Sequence, residues 1–326
     1  MKDSKIEWTD HTANFWWGCQ KVSLGCQNCY AETWAHRLGK SIWGLSTLTQ
    51  REYKRAIWDD IPKWDWQAKV AGHRQRVFVQ SMADLFEDHP QVVRWRRDAM
   101  KLMGECVNLD FLVLTKRPEN IARMMPLEWC VHWPDHVWIG TSVEHQKSAD
   151  KRIPELLKIP AKVRFLSMEP LLGPVSLDRW FGLMPGHRWA ECLCAEIDEA
   201  DRPCITCEAR QALGSESGID WIIVGGESGP NARPMHPSWV RGIRDQCQNA
   251  AVSFFFKQWG EWIVSSHVEQ HMPQGTMAWP WAQRLTDGNI TGDTTMMLRV
   301  GKKNSGRLLD GRQWNEIPWY PGWWQH

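Results

Sequence analysis

Short apolar runs recur along the middle of the chain, and each run ends in polar residues. Six of them predict β-strands, because they are short and rich in β-branched or aromatic residues. These runs are residues 77–80, 111–114, 137–140, 163–166, 221–224 and 253–256. Helical spacing of apolar residues appears between most of them, at residues 90–106, 119–125, 147–158 and 237–250. The alternation predicts a parallel sheet with crossover helices on its outside.

The polar residues that follow each run favour one kind of parallel sheet over another. A (β/α) barrel gathers its active site from many strand ends, whereas a doubly wound open sheet concentrates ligand residues at one switch point. All six runs end in polar residues. The predicted fold class is therefore α/β, with a full or partial TIM-like (β/α) barrel.

The amino-terminal part adds further elements to this pattern. A seventh, Trp-rich strand is predicted at about residues 14–17, directly before a cysteine-rich loop, and a helix is predicted at 30–40. Residues 41–66 are less regular and are expected to form a loop with some helix. In helix 90–106, the charged residues Arg94, Arg96, Arg97 and Lys101 are expected to point outward.

Two segments interrupt the strand–helix rhythm and suggest domain boundaries. The predicted organisation is a first barrel part at 1–182, a Cys-rich insertion at 183–217, a last barrel part at 218–260 and a C-terminal extension at 261–326. The extension is aromatic and Pro-rich, and is expected to be irregular and to pack on the barrel.

Composition and charge narrow the classes of protein. The chain has 326 residues, of which 43% are hydrophobic and 24% charged, an ordinary globular balance. A net charge of +1 gives no support for nucleic-acid binding through bulk electrostatics, but leaves room for a local basic groove. The amino terminus has no apolar signal region and no run is long enough to span a bilayer, so a cytoplasmic protein without membrane contact is expected.

Seven of the ten cysteines fall in two tight groups, which indicates metal sites rather than disulfides in a cytoplasmic chain. The first group, Cys19, Cys26 and Cys29, has the spacing C-x6-C-x2-C. Three thiolates fit a zinc ion with a fourth ligand from elsewhere, or a [4Fe–4S] cluster with one iron left open. A structural zinc knuckle or three unrelated buried thiols are the alternatives.

The second group lies in the insertion and has four members, Cys192, Cys194, Cys204 and Cys207. Two close pairs of cysteines suit a tetrahedral structural zinc site. The insertion has few large apolar residues, so a metal would supply much of its folding energy. The alternative is a disordered insertion without a metal.

Several sequence blocks together resemble a known family. They are GCQKVSLGCQNCYAE, FLVLTKRPENI, VRFLSMEPLLGPV and DWIIVGGESGPNARP, within a match from Ile6 to Pro318. The chain resembles a phage-borne, radical-SAM-like protein family of unknown function that is often encoded beside a three-Cys-motif partner protein. The resemblance implies a barrel related to radical S-adenosylmethionine (SAM) enzymes. The cysteine spacing is longer than the C-x3-C-x2-C that is commonest among those enzymes.

The resemblance and the positions of polar residues at the strand ends together suggest roles for individual residues. Cys19, Cys26 and Cys29 would hold a [4Fe–4S] cluster whose fourth iron binds SAM. Catalytic roles at the mouth are expected for Lys116, Glu144 and Glu169. Cofactor contacts are expected from a larger set: Gly225, Gly226, Glu227, Ser228, Ser81, Asp84, Thr115 and Lys257.

Each of these assignments has a structural alternative. The Gly225–Ser228 motif is also typical of a tight turn, and the carboxylates also suit helix capping or pairing with Lys116. Arg117 would either place a charge over the mouth or pair with Glu119 on the surface.

The leading hypothesis is a SAM-dependent radical enzyme with a zinc-binding insertion and an external electron donor. By analogy with its phage setting, its substrate would be a nucleic acid or nucleotide. A different hypothesis is a non-catalytic, zinc-stabilised barrel that binds nucleic acid or a partner protein. A third is a hydrolase that uses the mouth carboxylates with Mg²⁺.

Overall fold

The computed structural model of the protein describes residues 2–45, 47–181, 218–264, 277–281 and 295–318. Six of the twelve described strands, β4 to β9 below, follow the apolar runs seen in the sequence, as expected for segments buried on both faces. In chain order the strands are β1 (His11–Ala13), β2 (Trp16–Trp17), β3 (Glu52–Tyr53), β4 (Gln75–Val79), β5 (Leu109–Thr115), β6 (Val137–Ser142), β7 (Arg164–Met168), β8 (Trp221–Gly225), β9 (Ser253–Gln258), β10 (Trp262–Val264), β11 (Met277–Trp281) and β12 (Thr295–Arg299).

Seven of these strands form one parallel sheet in the order β1-β4-β5-β6-β7-β8-β9. The order across the sheet is thus the order along the chain. A doubly wound sheet reverses this order at its switch point, whereas a barrel winds in one direction. The described chain therefore forms a partial (β/α) barrel, and the open-sheet alternative is excluded for it.

Helices connect the barrel strands. In chain order the described helices are α1 (Tyr30–Arg37), α2 (Ala56–Ala71), α3 (Val93–Glu105), α4 (Ile121–Met124), α5 (Leu127–Val131), α6 (Gln146–Leu157), α7 (Pro237–Asn249) and α8 (Lys302–Ser305). Local sequence fixes several ends. His145 and Ser148 form a reciprocal capping box at the start of α6, and α2 ends at Gly72 in the left-handed conformation (φ 71°).

Alternate strand residues point to opposite faces of the sheet. The outward-facing residues, such as Val77, Val113 and Ile139, pack in one large core with the helices. The inward-facing ones form a separate layer that fills the amino-terminal half of the barrel interior. This layer comprises Trp8, Phe78, Leu112, Trp138, Val163, Phe165, Trp221, Ile223 and Phe255. Since the side-chain period is two, the residues that continue this inner face at the carboxyl ends include Lys116, Glu169, Gly225 and Lys257.

The structure corrects two expectations from the sequence and defines the helix expected in a third region. The first barrel strand is His11–Ala13 rather than residues 14–17, because Trp16 and Trp17 pair antiparallel with β3 instead. The region 41–66 includes most of α2, which accommodates Pro62. Arg96 does not point outward but is buried, at 5% exposure.

The chain after the barrel has a sheet of its own. The strands β10, β12 and β11 lie in that order and are antiparallel, so an entirely irregular extension was the wrong expectation. Residues near the end of the described chain contact the barrel: the Trp314 carbonyl accepts from Phe256 N at 2.9 Å, and the Glu316 carbonyl accepts from Trp221 Nε1 at 2.8 Å. The Cys-rich insertion lies outside the described residues. None of the described helices has the length and apolar character that crossing a bilayer requires.

Candidate functional site

The cysteine loop, residues 18–29, lies between β2 and α1 and crosses the carboxyl-terminal mouth of the barrel. Its three cysteines are free thiols and are partly exposed. The loop begins at Gly18, whose φ of 109° and close approach to the Ile42 carbonyl exclude a side chain. Residues that follow β4, β5, β6 and β8 hold the loop in place.

The first cysteine is held by Arg117, which follows β5. Arg117 Nη1 lies 3.7 Å from Cys19 Sγ and 2.8 Å from Asp84 Oδ2, and Nη2 donates to the Gln20 carbonyl at 2.7 Å. Burial raises the pKa of the Cys19 thiol, and the Arg117 charge opposes that rise. A surface pair between Arg117 and Glu119 is therefore the wrong alternative: Arg117 is 7% exposed, and Glu119 lies 3.8 Å from Lys151.

Asp84 fixes the position of Arg117. Its carboxylate accepts from Thr115 Oγ1 (2.7 Å), Lys116 N (3.0 Å), Phe86 N (3.0 Å) and Arg117 Nη1 (2.8 Å). The pKa of Asp84 is lowered because the guanidinium and these donors outweigh its burial. Both oxygens are thus engaged by the protein, so Asp84 and Thr115 orient Arg117 in this structure; their predicted contacts with a cofactor stay predictions.

A second buried pair extends this arrangement. The Glu87 carboxylate accepts from Arg51 Nε (2.8 Å), Arg51 Nη2 (2.9 Å) and Gln20 N (2.7 Å), and its Oε1 lies 3.8 Å from Arg117. Neither Glu87 nor Arg51 is more than 3% exposed. Gln20, directly after Cys19, is therefore tied to buried charges through both its amide and its carbonyl, although Cys19 itself is only partly buried.

Glu144, which follows β6, holds the middle of the loop. Its Oε1 accepts from Ser23 Oγ at 2.7 Å and lies 3.5 Å from Lys116 Nζ, while Oε2 accepts from Arg152 Nη1 at 2.7 Å. Glu144 is fully buried, yet these positive charges and hydroxyls lower its pKa to about 2. The loop backbone presses on this carboxylate at Gly25, where a Cβ would approach the Glu144 side chain within 2.6 Å of Cγ.

The last part of the loop is tied to β8. The Glu227 carboxylate accepts from Asn28 Nδ2 (3.1 Å), from Arg233 N and Nε (both 2.8 Å) and from Arg233 Nη2 (2.6 Å). Arg233 Nη2 in turn donates to the Leu24 carbonyl at 3.0 Å. Glu227 therefore joins two points of the loop, and a contact with a cofactor remains a prediction for it.

Cys29 lies at the amino terminus of α1. Burial raises the pKa of its thiol, and the backbone amides of Glu32 and Ala31 and the Lys116 charge oppose that rise. The next residue, Tyr30, donates its hydroxyl to the Ser81 carbonyl at 2.7 Å. The Ser81 hydroxyl lies 3.0 Å from Asn14 Nδ2. Ser81, predicted to contact a cofactor, thus lies at the mouth and supports the loop through its backbone.

The charged side chains on the opposite side of the mouth are more exposed to solvent. Glu169 Oε2 and Lys257 Nζ form an ion pair at 2.6 Å, with side chains 16% and 17% exposed. Gly225 lies beside them, and a Cβ there would be 3.0 Å from Glu169 Oε2. Ser228 accepts from Gln258 Nε2 at 3.1 Å, while Gly226 packs against the Trp259 carbonyl too closely for any side chain. Gly226 thus has the structural role that the tight-turn alternative predicts.

A single metal ion needs at least three donor side chains that converge on one point. Among the described residues, no three His, Cys, Asp or Glu side chains converge closely enough to hold a single metal ion. A [4Fe–4S] cluster makes a different demand, because each thiolate binds a different iron. Its negative charge is matched by Arg117 beside Cys19 and by Lys116 and the helix terminus beside Cys29. The chemistry of the loop therefore fits such a cluster. The predicted zinc ligands Cys192, Cys194, Cys204 and Cys207 lie outside the described residues.

Sequence reasoning missed the residues that hold the loop. Arg233, Asn28, Ser23, Glu87 and Arg51 were not selected, because their partners are distant in sequence; Arg233 Nη2, for example, contacts a carbonyl 209 positions away. One usable signal was present. Ser23 and Asn28 are polar residues within the cysteine loop, where hydrogen bonds to the strand ends can be expected once a barrel mouth is assumed.

Comparison with known proteins gives two matches. The sequence profile of a family described as "Protein of unknown function (DUF5131)" matches residues 3–318. No curated protein matches the chain. A solved structure of a spore photoproduct lyase mutant with dinucleoside spore photoproduct is similar over 91% of this chain and 70% of that chain, at a TM-score of 0.40 and 11% sequence identity. A similarity of this degree carries no conclusion about chemistry.

Proposed function

The chain belongs to the DUF5131 family, whose function is unknown, and we propose that it is a [4Fe–4S]-dependent SAM radical enzyme. One observation carries the proposal: three free thiols lie on a loop across the mouth of a partial (β/α) barrel, with positive charges beside two of them. The mouth is where barrel enzymes assemble their active sites. Three thiolates leave one iron of a cubane cluster without a protein ligand.

In this proposal Cys19, Cys26 and Cys29 each bind one iron. When bound and reduced, the cluster supplies one electron that breaks the sulfonium C–S bond of SAM. The chain's own part is to position the loop. Arg117 and Glu144 fix it from β5 and β6, and the N–H groups beside Cys19 and Cys29 oppose the rise in thiol pKa that burial causes.

The ligand-facing part of the mouth is the pair Glu169 and Lys257 beside Gly225. SAM carries an ammonium and a carboxylate. Lys257 would take the carboxylate and Glu169 the ammonium, so that the ligand replaces the ion pair that these two side chains form with each other. Both side chains are partly exposed, and Gly225 leaves the space beside them free of a side chain. Lys116, paired with Glu144 at 3.5 Å, would add a positive charge over the loop.

The test uses full-length protein reconstituted with iron and sulfide without oxygen. Iron, sulfide and zinc are counted, and dithionite and SAM are then added to look for 5′-deoxyadenosine. We expect about four irons at the loop and formation of 5′-deoxyadenosine. The Cys26→Ala variant should lose both. The Cys130→Ala variant is the matched control, because Cys130 is a free, exposed thiol away from the loop, and it should retain both.

Zinc at the loop, no bound sulfide and no 5′-deoxyadenosine would overturn the proposal. The zinc-stabilised binding module would then be the better description, since it requires the loop but no electron transfer. Equal losses in the two cysteine variants would also count against it, because they would show that the loop thiols have no special role.

A further inference from the structure

A groove on the rim of the barrel concentrates positive charge. It has a volume of about 520 Å³ and lies between the start of α3 and the segment that joins α4 to α5. Four arginines line it, Arg94, Arg96, Arg97 and Arg123, together with apolar residues that include Met124 and Met125. Acidic side chains are absent from its lining. In a chain with a net charge of +1, this concentration is local rather than general.

Arg96 is the unusual member of this set. It is 5% exposed, and Nη1 donates to the Glu87 carbonyl at 2.9 Å. Within the described residues no carboxylate lies within 4.0 Å of its guanidinium. The comparably buried Arg51 and Arg117 each have such a partner. Burial lowers the pKa of Arg96, opposed by Asp88 and reinforced by Arg123, so an anion in the groove would stabilise its charge.

The other three arginines leave charge available. Arg94 and Arg97 lie 3.6 Å and 3.5 Å from the same carboxylate, Asp98, and Arg123 lies 2.8 Å from Asp88. Four guanidiniums thus face two carboxylates, an excess of two positive charges. These three arginines are mostly solvent-exposed, so their ion pairs are weak and can be exchanged for a ligand's.

We propose that this groove binds the phosphate backbone of a nucleic-acid strand. Guanidinium groups bind phosphate oxygens in a bidentate manner. Arg94 and Arg97 are three residues apart on α3, so their Cβ atoms are about 5–6 Å apart on one helix face. They can therefore contact neighbouring phosphates of one strand. The methionines beside them offer an apolar surface to sugars and base edges.

Glu87 links the groove to the cysteine loop. The 3₁₀ turn Pro90–Val92 leads from the carboxyl end of β4 into α3, and α4 follows β5, so the groove is on the mouth side of the barrel. Arg96 contacts the Glu87 carbonyl, and the Glu87 carboxylate accepts from Gln20 N, next to Cys19. A strand in the groove therefore runs along the rim of the proposed active site. Binding itself requires no metal, so this inference goes beyond the proposed function and can be tested separately from it.

The experiment measures the anisotropy of a fluorescent single-stranded DNA oligonucleotide with full-length protein, without added iron, over a series of salt concentrations. The groove variant combines Arg94→Ala, Arg97→Ala and Arg123→Ala, which are exposed enough to leave folding intact. The control combines Arg55→Ala, Lys63→Ala and Lys151→Ala. It also removes three exposed charges that each lie near a carboxylate. Circular dichroism verifies that both variants are folded.

We expect the groove variant to lose roughly tenfold or more in affinity and to lower the salt slope by about 0.7 for each phosphate contact removed. The control should keep both values, and replacing the same three arginines by lysine should retain part of the affinity. Three outcomes would overturn the inference: no binding by the unmodified chain, equal losses in the groove and control variants, or displacement of the oligonucleotide by polyglutamate at equal charge. The last would identify the groove as a site for an acidic protein segment.

Discussion

The two sides of the barrel mouth use similar charged groups in different ways. On the first side, after β4 to β6, Asp84, Arg117 and Glu144 are buried and hold the cysteine loop; we call these three residues the clamp. On the second side, Glu169 and Lys257 are partly exposed and pair with each other; we call them the open pair. A buried charged group that makes all its hydrogen bonds to the protein can give them up only at a large cost in free energy. Each member of a partly exposed ion pair can exchange its partner for a ligand at a small cost. The comparison therefore separates residues that position from residues that can bind.

The largest expected difference between the two sides is in stability. Glu144→Gln and Glu169→Gln are the same substitution at one clamp residue and one open-pair residue. Glu144→Gln leaves Arg152 buried without a carboxylate partner, so we expect a loss of about 3–5 kcal/mol in the free energy of unfolding. Glu169→Gln should cost about 1 kcal/mol or less. Urea unfolding measures both, and equal losses would contradict the distinction.

The second expected effect is a dependence on acid. The folded pKa of Glu144 is about 2, below its ordinary value of 4.5. A depressed pKa means that the stabilisation is complete above pH 4.5 and is lost as the pH falls from 4.5 towards 2. The loss should approach roughly 3 kcal/mol. Unfolding free energies measured across this range should fall steeply for the unmodified chain and less steeply for Glu144→Gln. Parallel curves would show that another carboxylate is responsible.

A smaller effect is expected where the loop presses on the clamp. In Gly25→Ala the added Cβ would overlap the Glu144 side chain, and such overpacking typically costs about 1–3 kcal/mol. The loop should move to relieve it, so iron incorporation on reconstitution should fall together with the melting temperature. Gly242→Ala is the control, because a Cβ there meets nothing within 4 Å. Unchanged iron incorporation in Gly25→Ala would show that the loop does not depend on this contact.

The smallest effect on stability is expected at the open pair, where the consequence should appear in binding instead. Lys257→Gln removes the charge opposite Glu169 and should change the unfolding free energy by about 1 kcal/mol or less. On the proposed function it should weaken SAM binding roughly tenfold, the equivalent of one charge-assisted hydrogen bond. Calorimetric titration of reconstituted protein measures the affinity, with Lys63→Gln as the exposed-lysine control. An unchanged affinity would remove Lys257 from the SAM site.

The sequence predicts the barrel well because its strands depend on local composition. Runs such as Phe111–Leu114 and Trp221–Val224 are apolar and β-branched, and the structure confirms strands there. The first barrel strand was misplaced at 14–17 because that segment is rich in aromatic residues. Trp16 and Trp17 suit any strand, and their pairing with β3 in the folded chain determines where they lie. The bounds of α2 were not predicted, since Pro62 and the six tryptophan and aspartate residues of the helix obscure its period.

The site was predictable only in part. The residue types at the strand ends were recognised because the carboxyl ends of parallel barrel strands meet at one mouth, so the polar residues after each apolar run are expected to lie together. Their partners were not, because the contacts from Asp84 to Arg117 and from Arg117 to Cys19 join three separate segments and form only in the folded barrel. The burial of Arg96 could not be predicted for the same reason. Helical periodicity alone places its side chain on the solvent-facing side of α3, whereas its partner, the Glu87 carbonyl, lies in another segment.

The aromatic layer in the amino-terminal half of the barrel has a consequence for the traffic of molecules. In the described part of the chain it fills the interior behind the mouth, with Trp8 packed edge-on against Trp221. In the proposed enzyme, a ligand at the open pair would therefore enter and leave on the mouth side, where the cysteine loop lies, and not through the amino-terminal half of the barrel. A small molecule seated behind a larger one cannot depart first. In the proposed enzyme, a larger ligand at the mouth would therefore bind last and leave first.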